Sequence, residues 1–157
     1  MRRSAHSLAL TAILVLANCG GFNAASQLRL YLSASGPLIS SLPLSDSLKS
    51  GLVVDFTDLA SGAATMAEEF KACGSDKPCK LNAVDKFQVR FFGVERRGHF
   101  GSHAKLQTVK DIIAGIISSA RIYYGARQNV TAGGSPRVVT EADLKAKLDE
   151  LKAAMQP

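Results

Sequence analysis

Tryptophan is absent from this 157-residue chain, and Phe and Tyr bring the aromatic share to only 6%. Gly and Pro number 13 and 5, too few for a collagenous or low-complexity chain. Charged residues are 20% against 46% apolar, which excludes a disordered polar tail. No uncharged apolar run approaches the length needed to cross a bilayer, so a polytopic membrane protein is excluded. The chemistry-bearing signatures are missing as well. There is no G-x-S-x-G, no Walker loop, no G-x-G-x-x-G and no Cys-x-x-Cys. What remains is a chain long enough for one folded domain, with no cofactor motif to explain.

The first informative segment is the N-terminus. Arg2 and Arg3 precede an uncharged apolar run, Leu8 to Ala17, which Asn18, Cys19, Gly20 and Gly21 interrupt. Ten helical residues span about 15 Å, half a hydrocarbon core. A charged start, a short apolar core and a small-residue exit describe a secretory signal, here residues 1–18. Leu16-Ala17-Asn18-Cys19 resembles the lipobox of bacterial lipoproteins, with Asn18 standing where that pattern has Gly, Ala or Ser. The resemblance implies that the Cys19 thiol carries lipid and becomes the mature N-terminus. It also implies a protein held at the outer membrane and facing the periplasm, since Gly20 rather than Asp follows the Cys. The alternative is cleavage around Ala24-Ala25-Ser26, before Gln27, which gives a secreted protein without an anchor.

Cysteine usage fits export. Of three cysteines, either route removes Cys19 from the thiol pool and leaves the pair Cys73 and Cys79. The turn-forming Gly74-Ser75-Asp76-Lys77-Pro78 between them lets the two thiols face each other, so a disulfide is expected.

The body reads as an all-α bundle of about four helices over residues 46–157, after a Ser-rich tether over residues 19–45. Leu48, Leu52, Phe56, Leu59, Ala63, Met66 and Phe70 step by three and four from a cap at Ser45–Ser47. Val84, Phe87, Phe91 and Val94 mark a second helix capped at Asn82, although residues 86–92 alternate as a strand would. Leu106, Val109, Ile113, Ile116, Ala120 and Tyr123 give the strongest stripe. Residues 128–139 read as a surface loop. Thr140 to Asp143 then resembles a capping box, ahead of Leu144, Leu148, Leu151 and Met155.

Charge is the uneven feature. Residues 77–110 hold eight Lys or Arg, Lys77 and Lys80 among them, against Asp85 and Glu95. Lys86, Arg90, Arg96, Arg97 and Lys105 are therefore candidate anion-binding residues. In an exported protein the available anions are envelope lipids and polymers, and no nucleic acid is expected. His99 and His103 are spaced as a helical metal pair, but Gly98 and Gly101 break that helix, so they are weak candidates. Asp55 with Asp58, and Glu68 with Glu69, read as a solvated helix face. The expectation is a non-catalytic binding or scaffolding protein whose partner is an envelope protein or an anionic envelope polymer or lipid. The alternatives are a small hydrolase or metalloprotein using His99 and His103, and an exported membrane-active toxin, lysis or exclusion protein.

Overall fold

A computed structural model describes residues 23–125 and 138–157, and every described element is helical. The expected signal, Cys19 and most of the loop over 128–139 lie outside the described residues. The elements are α1 (Ala24–Ser33), α2 (Gly36–Ser41), α3 (Asp46–Cys73), α4 (Lys77–Glu95), a 3-10 turn (His99–Ser102), α5 (Ala104–Gly125) and α6 (Glu141–Ala154). The all-α bundle is as expected from the apolar spacing, with more helices than that spacing revealed.

The addition comes from the expected tether, which the structure corrects over residues 24–41. Asn23 Oδ1 accepts the Ser26 amide and starts α1, whose Ala24, Ala25, Leu28 and Leu32 are buried. Pro37 sits in the first turn of α2, where its missing N–H costs nothing, and Leu38 and Ile39 are buried. Leu42 follows them into the core. These runs are too short to show several turns of periodicity, yet each fills a gap between longer helices.

In α3, the Ser45 hydroxyl accepts the Leu48 amide, and the stripe from Leu52 to Phe70 is buried. Leu52-Val53-Val54 is helical, as is the segment 86–92 that alternates in sequence. The second helix starts five residues before Asn82. Asp76 caps α4 by accepting the Cys79 amide, and Pro78 lies in its first turn. Cys73 and Cys79 form a disulfide across this turn with their Cα atoms 5.6 Å apart. Thr140 and Asp143 complete a reciprocal capping box on α6, burying Leu144, Leu148 and Leu151 behind it.

The five long helices close into a ring. α1 packs on α3, α3 on α4, α4 on α5, α5 on α6, and α6 returns to α1. α1 is thus the closing stave, which is why the segment ahead of α3 folds instead of trailing as a tether. The cavity between α1 and its neighbours holds about 20 Å³, lined among others by Ala25, Leu28, Met66, Phe87 and Ile116. An apolar space of that size offers water no partners.

Candidate functional site

One carboxylate breaks the apolar rule of the core. Asp55 is fully buried in the middle of α3, and this corrects the solvated-face reading of Asp55 with Asp58. It lies three residues after Leu52 and four before Leu59, squarely on the buried stripe. An isolated ionised carboxylate there would be very costly, so it needs partners.

The partners come from the far end of α4. The helix stops at Glu95, and Gly98 takes the left-handed conformation, φ 81°, that lets the chain turn back toward α3. Arg97 and His99 flank that glycine. Arg97 Nη1 donates to Asp55 Oδ1 at 2.9 Å, and Nη2 donates to Asp58 Oδ2. His99 Nδ1 lies 2.9 Å from Asp55 Oδ2. A carboxylate held by Arg97 only accepts, so the proton of this bond sits on Nδ1. Asp58 is half-exposed and completes a fork around the guanidinium. The Asp58 hydrogen bond holds Arg97 above its ordinary pKa, with the charges of Asp55 and Asp58 adding to it against partial desolvation.

Two features seat the imidazole. Gly51, one turn before Asp55, leaves the space the ring occupies; a Cβ there would lie 2.7 Å from His99 Cε1. Phe100 then buries its ring 5.2 Å from that of Phe56 and fixes the 3-10 turn to the core. His99 remains partly exposed, with its side chain 30% accessible.

In comparisons with protein-family models, curated proteins and solved structures, this chain matches none. The site therefore has to be read from its own geometry.

The other sequence candidates are distributed rather than gathered. Lys86 pairs with Glu69 at 2.8 Å. Arg90 reaches the Asp58 carbonyl at 3.4 Å with its stem over Gly62, and Arg96 donates to the Phe92 carbonyl at 3.2 Å. Lys105 donates to the Gln156 carbonyl and so ties α5 to the C-terminus. His103 serves the start of α5, its Nδ1 accepting the Lys105 amide at 3.1 Å, while His99 faces Asp55. Among the described residues no group of three or more His, Cys, Asp or Glu converges to hold a metal. Nor is any helix long and apolar enough to cross a membrane, again among the described residues.

Asp55 is the residue that sequence reasoning missed. Its signal was available: a carboxylate in phase with Leu52, Phe56 and Leu59 belongs to the core face and demands a cation. Which cation answers it depends on the hairpin register and the turn at Gly98.

Proposed function

We propose that the chain is an exported, lipid-anchored helical protein that binds or scaffolds a partner at the cell envelope without catalysing a reaction. The observation that carries this reading is the start of α1. Asn23 caps α1, and Ala24 and Ala25 are buried in its first turn. Cleavage before Gln27 would remove that cap and turn, whereas processing at Cys19 leaves α1 whole. The Cys73–Cys79 disulfide supports the same compartment, because such bonds persist where conditions are oxidising. The site fits a binding module. Both oxygens of Asp55 are engaged, so the cluster acts as a lock between α3 and the turn after α4. Intact mass of the protein from a membrane fraction, without reductant, tests the reading. The expected mass starts at Cys19, carries lipid and lacks two hydrogens for the disulfide. An unlipidated start near Gln27 removes the anchor, and a start at Met1 removes export.

A small hydrolase is the second reading, and the Asp55–His99 pair favours it. A buried carboxylate orienting Nδ1 leaves Nε2 placed as a general base. Release of nitrophenol from p-nitrophenyl acetate that disappears in a folded His99→Gln variant would establish it over scaffolding.

A further inference from the structure

We infer that the bundle docks end-on against an anionic phospholipid bilayer, through the end built by the disulfide turn, the start of α4 and the end of α5. The inference rests on the anchor proposed at Cys19 and specifies which surface that anchor presents. Cys19 precedes Asn23 by four residues, so their Cα atoms are no more than about 14 Å apart even when the link is fully extended. The start of α1 lies at one defined end of the ring. Ala24 and Ala25 share a cavity with Phe70 and Tyr124, whose rings stack edge-on at 5.1 Å. Phe70 ends the buried stripe of α3, three residues before the disulfide, and Tyr124 is the last buried residue of α5.

That end carries two cations with a chemistry of their own. Lys77 Nζ sits 4.8 Å from the centre of the Tyr123 ring. Lys80 Nζ lies 5.8 Å from Phe70 and 5.9 Å from Tyr124. Neither lysine pairs with a carboxylate among the described residues, unlike Lys86 and Arg97 in the same basic segment. Both occupy the first turn of α4, which holds no acidic residue. The helix macrodipole is positive there and disfavours cations, so helix stability does not explain the choice. An anion supplied from outside would complement both. Lysines over aromatic rings beside a half-buried tyrosine match a headgroup layer, where ammonium meets phosphate and the phenol sits at the boundary. The Asp55 site then faces away from the bilayer. Eighteen residues of α3 separate it from Cys73, about 27 Å at 1.5 Å per residue.

Because the chain has no tryptophan, a single introduced one reports its own surroundings. Full chains carrying Tyr123→Trp, or Val54→Trp beside Asp55, are purified from membranes. They are then placed in phosphatidylcholine vesicles with brominated acyl chains, with or without phosphatidylglycerol. Ser75→Trp in the disulfide turn replaces Tyr123→Trp if that variant unfolds. The expected result is strong quenching at position 123 or 75 and little at 54. Adding Lys77→Gln and Lys80→Gln should lower the quenching on phosphatidylglycerol vesicles to the level on phosphatidylcholine alone. Equal quenching at both ends, in a chain whose mass shows lipid at Cys19, overturns the docking end and leaves the anchor standing. Unchanged quenching after the lysine replacements overturns the headgroup contact. If the mass shows no lipid, the anchor fails by itself. The docking end then stands only if position 123 is still quenched on the anionic vesicles.

Discussion

At the scale of single residues, glycine in α3 has opposite consequences from glycine in α4. In an open helix position, Gly→Ala stabilises by about 0.5–1 kcal/mol. Gly93 in α4 has nothing within 4 Å of the position a Cβ would take, so Gly93→Ala should raise the melting temperature. Gly51→Ala should lower it, because the new methyl meets the His99 ring and loosens a contact to a buried carboxylate. Thermal unfolding followed by circular dichroism separates the two signs. Sequence alone assigns both glycines the same cost, since the imidazole comes from 48 residues away. Asp55 was legible as a residue in phase with the core, but its partners Arg97 and His99 were not. Arg97 was visible as one of several basic residues, and His99 as a weak metal candidate beside His103. A third residue carries a pH dependence. Burial pushes the Tyr124 hydroxyl up to about 12, with Tyr123 and Glu141 adding to it. Its unfolded counterpart titrates near 10, so the unfolded chain loses that proton first. The stability this contributes is complete below about pH 10 and is lost as pH rises toward about 12. Tyr124→Phe should flatten that decline in denaturant melts across the window.

At the scale of elements, long periodic stripes were readable and short ones were not. α3, α5 and α6 each repeat their apolar spacing over several turns, and their buried faces follow it, except that Tyr124 rather than Tyr123 is buried at the end of α5. α1 and α2 have ten and six residues, too few for a period to stand out, and Ser and Pro around them resemble linker chemistry. The start of α4 was obscured for a related reason. Gly74 to Pro78 has the composition of a turn, and a turn and a helix N-terminus use the same residues: Asp76 caps, and Pro78 fits the first turn. The disulfide spans this junction and closes a loop of only six residues' separation. Such a short loop contributes on the order of 2 kcal/mol by constraining the unfolded chain. Cys73→Ser with Cys79→Ser should therefore lower stability in urea by about that amount without changing helix content.

At the scale of the whole molecule, ring closure makes α1 a structural member. Its loss would leave α3 and α6 without the neighbour they share and uncover Met66 and Phe70 beside the cavity. A chain lacking residues 23–34 should bind a hydrophobic dye and melt with little cooperativity, whereas a trailing tether would be removable without effect. Closure also draws part of the basic segment into the structure. Two of its side chains lie along the seam between α3 and α4, where Lys86 meets Glu69 and Arg97 meets Asp55 and Asp58.

The hairpin of α3 and α4 behaves mechanically like a beam clamped at both ends. A covalent clamp joins Cys73 to Cys79, and an ionic one joins Asp55 to Arg97, with His99 hydrogen-bonded beside it. A beam held at one end can swing, but one held at both can only bow. Sliding the helices by a turn would strip a buried carboxylate of its cation, so register and alignment are set together. Amide protons midway along α4, from Val84 to Phe91, should therefore exchange with solvent only when the whole molecule opens. Reduction or Asp55→Ala alone should release one clamp and create a faster local route, and hydrogen exchange by mass spectrometry would show which end yields first.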